Sequence, residues 1–477
     1  MRSSASGTGV GLVVSSGTHL GRGMYSHCLQ GMRGSRSSSG RDVRVFGSVV
    51  SGCGATFSGV ERGQLRSVVI AVSAVLCFTG MPMAVGGADP LPTPQKDLFY
   101  TPPAGWDSQA PGTILNSRPV EVASLTPRAQ DADAWQLLYR TTDTDGAPMA
   151  TVTTVLRPRT GQVKGLISYQ AATDASAPQC APSYVLRQGA PDKYDSSLDL
   201  IQIEQMLSSG HAISVPDWEG PKGTLFTPRQ PGYAALDGVR AAQGFAPLGL
   251  SGTDTPVAAM GYSGGSIGTS WAAQMQPTYA PEIRLTGVAM GGWTAPIGSY
   301  LGTLDAGPFS GFLPSLLPGM LRADPRLAAA FDKYLTPAGQ ALMAAGDSKC
   351  VTSNVAQHAF LRMDDYLTIP FSQLLEQVQE SLAELDFSPV AQTAPLFLYN
   401  AVHDEIVTIA GPDKAVAQWC ASGARITYTR DQLSEHVSLA ISATPAVLRW
   451  IDERLAGQAA PDGCSTRTVT SMSLGGA

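Results

Sequence analysis

The feature that most constrains the fold is a short apolar run joined to a helix-like segment through a serine flanked by glycines. Val257-Ala-Ala-Met-Gly-Tyr262 has the composition of a buried strand, and Ser266–Met275 has that of a helix. At their junction, Gly261-Tyr-Ser-Gly-Gly265 fits the pattern G-x-S-x-G, in which a tight strand-to-helix turn holds the serine hydroxyl clear of a sheet. Glycine at both ends lets the strand and the helix approach without a Cβ clash. The pattern predicts Ser263 as a nucleophile, although a glycine-rich turn that packs closely or binds phosphate has the same five-residue form.

Strand-like and helix-like segments alternate along much of the remaining chain. Two strand-like runs flank the Asp-Gly turn within Asp143–Pro148, which predicts a hairpin. Near-continuous apolar strands that alternate with helices are typical of a mostly parallel sheet covered by helices. We therefore predict an α/β protein. The buried-strand candidates are Gly165–Gln170, His211–Val215, Leu285–Met290 and Pro395–Tyr399, and further helix candidates are Leu198–Met206 and Gly232–Ala242.

One stretch, from about Pro296 to Glu384, interrupts this alternation. It is helix-like and apolar, and its segment Gly307–Gly319 resembles neither a strand nor a linker. A long insertion between strands of a sheet is a candidate cap over an active site. We predict a mainly helical cap at about residues 296–385. The apolar segment Phe309–Leu321 would suit either a cap that opens at a lipid surface or the buried core of the cap itself.

A serine nucleophile needs a base, and the chain has only six histidines. His436 follows the strand-like run Ile426–Thr429 late in the chain and completes the order serine, acid, histidine that α/β-hydrolases have. The other five are less suitable by position. His19 and His27 lie in the predicted leader, and His211 lies at a strand start. His358 lies in the predicted cap, and His403 is beside the acid. We therefore predict His436 as the base.

The acid that orients this histidine should follow a central strand. Asp404 directly follows Pro395–Tyr399 and leaves room for one helix and one strand before His436. Glu405 is the competing acid. In the predicted mechanism His436 takes the proton of Ser263 during attack on an ester and returns it to the leaving alcohol, and water then releases the acyl-enzyme.

The first 88 residues are predicted not to belong to the folded domain. Residues 1–59 are rich in Gly and Ser and lack a helix or strand period, so we interpret them as a non-native or disordered leader. Arg62–Arg66, the apolar run Ser67–Phe78 and the small residues up to Ala88 form the pattern of a secretory signal peptide. The run is shorter than the roughly 20 residues that span a bilayer. We expect translation to start near Val60 and residues 89–477 to form the mature chain, without a transmembrane helix.

Charge and cysteine content restrict the partners and the compartment. The chain has a net charge of −6 and no Lys/Arg-rich run, which argues against a nucleic-acid partner. Four cysteines remain outside the leader, an even number that predicts two disulfides in an exported chain without choosing among three pairings. No Cys/His cluster has zinc-ligand spacing, and we predict no metal or cofactor. These cysteines are Cys180, Cys350, Cys420 and Cys464.

With these residues in place, the chain resembles the secretory lipase family, the lipase A-type enzymes of yeasts and their bacterial relatives. The resemblance runs from Phe99–Pro103 to about Cys464, over nearly the whole predicted mature chain. It is carried by Val215-Pro-Asp-Trp-Glu-Gly220, Gly261-Tyr-Ser-Gly-Gly265, His403-Asp-Glu-Ile-Val407 and Glu435-His436.

The resemblance implies an α/β-hydrolase fold, with a helical cap that shapes an acyl-binding tunnel, and it assigns the site. Ser263, Asp404 and His436 would form the triad. The oxyanion hole would be lined by Asp217 and the backbone N–H of Gly264. The disulfides would be Cys180–Cys350 and Cys420–Cys464.

The predicted function is that of a secreted serine hydrolase of carboxylic esters, a triacylglycerol lipase or esterase. Its substrate would be an ester or lipid, met at a lipid–water interface, and it would act outside the cell, either free or at the cell envelope. Two alternatives stay open. An acyltransferase would use the same triad with an alcohol in place of water, and a catalytically silent lipase-like binding protein would keep the fold alone.

Overall fold

The computed structural model describes residues 91–125, 131–191, 195–294, 298–385 and 393–474. The predicted leader (1–59) and signal peptide (60–88) lie outside these residues. None of the helices within the described ranges has both the length and the apolarity that a bilayer crossing requires.

Ten strands of the described residues form one sheet. Its order is β1-β2-β3-β5-β4-β6-β7-β8-β9-β10. The pairings β1–β2, β2–β3 and β3–β5 are antiparallel, and all pairings from β5 to β10 are parallel. The predicted α/β class with a mostly parallel sheet is confirmed. The strands are β1 (Ile114–Val120), β2 (Ala132–Thr142), β3 (Pro148–Pro158), β4 (Leu166–Gln170), β5 (Ala212–Pro216), β6 (Val257–Tyr262), β7 (Leu285–Gly291), β8 (Leu396–Ala401), β9 (Ile426–Asp431) and β10 (Cys464–Val469).

The predicted hairpin is formed by β2 and β3. The carboxylate of Asp143 accepts hydrogen bonds from the backbone N–H groups of Asp145 at 3.1 Å and Ala147 at 2.9 Å. Gly146 has φ +84°, a value that glycine adopts without a steric penalty. Local turn chemistry therefore fixes where β2 ends and β3 begins.

Helices cover both faces of the sheet. On one face, α2, α13 and α14 pack with Ile167, Ala258 and Phe397, and on the other, α3, α4 and α12 pack with residues such as Leu166 and Leu396. The helices outside the 298–384 region are α1 (Pro182–Val185), α2 (Ser197–Ser208), α3 (Gln230–Gly244), α4 (Gly264–Tyr279), α12 (Ala410–Ala421), α13 (His436–Ser442) and α14 (Thr444–Leu455).

Seven helices of the described residues lie between β7 and β8, where the sequence predicts the cap. Two of them have proline at the first position and are capped by the side chain before it. The Asp324 side chain accepts the N–H of Arg326, and the Thr336 side chain accepts that of Gly339. The role of these helices as a cap stays a prediction. They are α5 (Gly298–Leu304), α6 (Phe312–Ala323), α7 (Pro325–Tyr334), α8 (Pro337–Asp347), α9 (Val351–Gln357), α10 (Phe371–Gln377) and α11 (Gln379–Glu384).

Two disulfides connect elements that are distant in the chain. Cys180, which follows β4, bonds to Cys350 at the start of α9. Cys420, near the end of α12, bonds to Cys464, the first residue of β10. These are the pairings that the family resemblance implies.

Candidate active site

Ser263 lies on the turn between β6 and α4, with φ +51° and ψ −127°. A non-glycine residue in such a conformation costs about 1–3 kcal/mol and persists only where its surroundings hold it. Here the Ser263 N–H donates to the Gly291 carbonyl at 2.9 Å, and its own carbonyl accepts the N–H of Ser266 at 2.8 Å. The turn that G-x-S-x-G predicts is therefore formed, with Ser263 between a strand and a helix N-terminus.

The glycines at 261 and 265 are required by close packing of the backbone. A Cβ at Gly261 would collide with the Gly265 carbonyl, and a Cβ at Gly265 would collide with the Gln170 carbonyl of β4. The start of α4 thus lies directly on the ends of β6 and β4, which explains the spacing of the motif.

Ser263, His436 and Asp404 form one row of hydrogen bonds. The imidazole Nε2 of His436 is 2.8 Å from Ser263 Oγ, and its Nδ1 is 2.8 Å from Asp404 Oδ2. Asp404 Oδ1 accepts the backbone N–H groups of Ile406 at 3.0 Å and Val407 at 2.6 Å. The Asp404 side chain is buried, so its carboxylate has a fixed orientation toward the imidazole. The three residues predicted as a triad are thus brought together in the structure.

The charges around His436 favour its protonated form. Burial lowers the pKa of the imidazole, but the charge of Asp404 and its hydrogen bond, with further negative charge at Glu405 and Asp174, outweigh burial and raise the pKa above its usual value. An imidazole that is stabilised when it gains a proton is suited to accept one from a serine.

Asp174, in the loop after β4, lies against the residue that follows Ser263. A Cβ at Gly264 would collide with Asp174 Oδ1 and would lie 2.7 Å from its Cγ. The Asp174 carboxyl is buried and accepts no hydrogen bond from the described residues. Burial raises its pKa to about 7, while the charge of His436 lowers it and that of Asp199 raises it. Near neutral pH this carboxyl is therefore available as a hydrogen-bond donor.

The assignment of Asp217 to the oxyanion hole stays a prediction, and in the structure its carboxyl group has other partners. Its carboxylate accepts hydrogen bonds from the backbone N–H of Ser183 at 2.7 Å and from Ser183 Oγ at 2.5 Å, and its own N–H donates to the Val152 carbonyl at 2.8 Å. These groups are engaged in linking β5 to α1 and β3. The carboxyl group that lies on Gly264 is that of Asp174 instead.

Sequence reasoning missed Asp174, although one signal was present. In α/β-hydrolases an oxyanion donor comes from a loop after a strand that precedes the nucleophile. The loop after Gly165–Gln170 contains Asp174, but the sequence does not show whether β4 or β5 neighbours the nucleophile strand. The structure pairs β4 with β6.

His211, excluded as a base by its position, has a different partner. Its Nε2 is 2.5 Å from Asp452 Oδ1 of α14, and its side chain is buried. It links the start of β5 to that helix. Within the described ranges, no group of three or more His, Cys, Asp or Glu side chains is arranged to hold a metal ion.

Comparisons with known proteins agree on one family. The sequence model described as "Secretory lipase" matches residues 192–463. "Probable inactive lipase MT1628" of Mycobacterium tuberculosis is 38% identical over 376 residues, which cover 77% of this chain and 84% of that protein. "Secreted triacylglycerol lipase LIP4" of Malassezia globosa is 33% identical over 408 residues, covering 82% and 88%. The crystal structure of Candida antarctica lipase A is 30% identical, with a TM-score of 0.70 and coverage of 80% and 90%.

Proposed function

The chain belongs to the secretory lipase family, and on that basis we propose that it is a secreted lipase or esterase whose nucleophile is Ser263. The observation that carries this proposal is the row of hydrogen bonds Asp404–His436–Ser263, with 2.8 Å on each side of the imidazole. A lipase or esterase activity agrees with the family, and the row supports the serine mechanism.

In the proposed reaction, His436 Nε2 takes the proton of Ser263 as Oγ attacks the ester carbonyl carbon. Asp404 stabilises the imidazolium that forms. The tetrahedral intermediate collapses when the bond to the alcohol oxygen breaks, and His436 donates its proton to that oxygen. Water, deprotonated by His436, then attacks the acyl-enzyme and releases the carboxylic acid and Ser263.

The oxyanion would accept hydrogen bonds from two donors. One is the backbone N–H of Gly264, the first residue of α4, which has no acceptor within the helix. The other is the Asp174 carboxyl in its protonated form. Its contact with Gly264 and its pKa of about 7 support this role. An ionised Asp174 would instead repel the developing negative charge.

A catalytically silent binding protein is the second candidate, because one relative is named a probable inactive lipase. In this chain the serine, the histidine and the acid are all present and hydrogen-bonded. That arrangement favours the enzyme. Transfer of the acyl group to an alcohol would use the same residues, and the two reactions differ only in the acceptor.

The test compares the purified protein with its Ser263→Ala variant. Substrates are p-nitrophenyl esters from acetate to palmitate and an emulsified triacylglycerol, and a fluorophosphonate probe reports the reactive serine. We expect Ser263→Ala to lose the label and at least about a thousandfold of kcat. Ser348→Ala, which alters an exposed serine bonded to Ala345, should keep both.

Each outcome bears on one part of the proposal. Activity on palmitate and on the emulsion would support a lipase, whereas activity on short esters alone would support an esterase. Activity that survives in Ser263→Ala would refute the proposed nucleophile, and a protein that neither reacts with the probe nor hydrolyses any ester would favour the silent binding protein.

A further inference from the structure

Glu405 follows the proposed catalytic acid in the chain, and it contacts the proposed catalytic histidine at a different group. Its Oε2 accepts the backbone N–H of His436 at 2.9 Å, whereas Asp404 Oδ2 binds the imidazole Nδ1 at 2.8 Å. Two consecutive acids therefore hold one histidine, the first by its ring and the second by its backbone.

The N–H that Glu405 binds lies at a helix terminus. His436 is the first residue of α13, and the first N–H groups of a helix have no carbonyl partner within it. The N-cap residue Glu435 is engaged elsewhere, in a capping box with Ser438. Glu405 thus supplies the acceptor for the His436 N–H from outside the helix, and a negative charge at this end is also favoured by the helix dipole.

The carbonyl of His436 is held as well. It accepts a hydrogen bond from the hydroxyl of Tyr262 at 2.6 Å, and Tyr262 immediately precedes Ser263. The backbone of His436 is therefore fixed on one side by the loop after β8 and on the other by the strand that carries the nucleophile. Because α13 has only seven residues, these bonds at its first residue determine much of the imidazole position.

We propose that Glu405 is a positioning residue of the hydrolysis reaction, which fixes the backbone of His436 so that the imidazole reaches Asp404 and Ser263 together. This inference rests on the proposed function, in which His436 is the base. It separates the roles of two acids that the sequence alone left in competition.

The charge of Glu405 gives the inference a second, independent readout. Its negative charge adds to those of Asp404 and Asp174 in raising the pKa of His436. Removing it should lower that pKa, so the neutral imidazole and the activity should persist to lower pH. The titratable groups around His436 are Asp404 and Glu405 from the loop after β8, Asp174 from the loop after β4, Tyr262 from β6 and Glu435 beside it in the chain.

Three substitutions separate the hydrogen bond from the charge. Glu405→Gln keeps an oxygen that can accept the His436 N–H, so kcat should stay within about 3-fold, while the acid limb of kcat/KM moves down by roughly half a pH unit. Glu405→Ala loses the bond, so kcat should fall about 10- to 100-fold with KM nearly unchanged. Glu405→Asp keeps the charge on a shorter side chain, so kcat should fall without the downward shift of the acid limb.

The matched control is Glu435→Gln. It removes a negative charge next to His436 in sequence, but this acid binds Ser438 rather than the His436 N–H. Its kcat and pH profile should match the wild type. Thermal unfolding shows which variants fold, and if Glu405→Ala does not, Glu405→Asp carries the kinetic test.

Two results would overturn the inference. One is a wild-type kcat in folded Glu405→Ala or Glu405→Asp, and the other is an equal loss in Glu405→Gln and Glu405→Ala, since the amide keeps the acceptor. Failure of the proposed function is distinct, because it would appear as activity in Ser263→Ala, whatever the Glu405 variants do.

Discussion

At the scale of single residues, two of the six non-glycine residues with positive φ among the described residues belong to the proposed reaction centre. These two are Ser263 and Asp174, with φ of +51° and +47°. Each is held by a bond to its backbone, from Ser263 N–H to the Gly291 carbonyl and from Ser315 Oγ to the Asp174 carbonyl. Conformations that cost about 1–3 kcal/mol each are kept where they aim side chains at the site.

The pKa values of His436 and Asp174 predict a bell-shaped pH profile. His436 must be neutral to act as base, and its raised pKa moves the loss of activity on acidification upward. Asp174 must be protonated to donate, and with a pKa of about 7 it loses that proton as the pH rises. We expect kcat/KM for a soluble ester, measured from about pH 5 to about pH 9, to peak near neutrality.

The variant Asp174→Asn identifies the alkaline limb. An amide donates a hydrogen bond at every pH, so the alkaline limb should disappear. Because Asp174→Asn also removes a negative charge that raises the pKa of His436, the acid limb should move to lower pH. Asp174→Ala, with no donor, should lose about 10²- to 10³-fold of kcat. If the alkaline limb is unchanged in Asp174→Asn, Asp174 is not the group that titrates.

At the scale of elements, buried strands were predictable with little error. Val257–Tyr262 and Gly165–Gln170 nearly coincide with β6 and β4, because a strand buried on both faces is a continuous apolar run with clear ends. Helix ends were less predictable. The predicted helix Ser266–Met275 extends in the structure to Tyr279, through Pro277, a residue type that usually marks a helix end. The exposed strand β10 has no apolar pattern and could not be predicted.

The residues of the candidate site also differ in how far the sequence alone could predict them. Ser263, Asp404 and His436 follow from local motifs and from their order in the chain, which the sequence displays. Asp174 depends on which strand lies beside β6, and sheet order is a long-range property that local patterns do not contain. Asp217 directly follows β5, which lies one strand farther from β6 than β4 does.

A helix of the predicted cap contacts the proposed oxyanion site through Ser315 of α6. Its buried hydroxyl donates to the Asp174 carbonyl at 2.7 Å. Because one hydrogen bond is worth about 0.5–1.5 kcal/mol, Ser315→Ala should lower kcat by about 2- to 10-fold. Ser310→Ala is the matched control, since that buried serine bonds to His358 and Leu361 within the same region. Equal kcat for the two variants would contradict the link between α6 and Asp174.

At the scale of the whole molecule, family membership establishes the fold more firmly than the activity. One relative of the chain is named an inactive lipase and another a triacylglycerol lipase, at 38% and 33% identity. Identity over the whole chain therefore does not discriminate between them. The row of hydrogen bonds Asp404–His436–Ser263 favours an active enzyme, and kinetic measurements on this protein must test it.

The two disulfides should have different effects when removed. Cys180–Cys350 joins the segment that follows Asp174 to α9, whereas Cys420–Cys464 joins α12 to the edge strand β10. Each is expected to contribute about 2–5 kcal/mol to stability. The double variant Cys180→Ser/Cys350→Ser should have a lower Tm and also a lower kcat, measured at a temperature at which the variant is fully folded. The double variant Cys420→Ser/Cys464→Ser should have a lower Tm alone. Loss of kcat in both folded variants, or in neither, would contradict this difference.

The bond between Cys180 and Cys350 also bears on the cell that makes this chain. The two cysteines are 170 positions apart, so they meet only after most of the polypeptide has been synthesised. Thiols stay reduced in the cytosol and are oxidised after export. A polypeptide still inside its producer would therefore lack the link that secures the segment after Asp174. Under the proposed function, full activity would therefore be reached only after export.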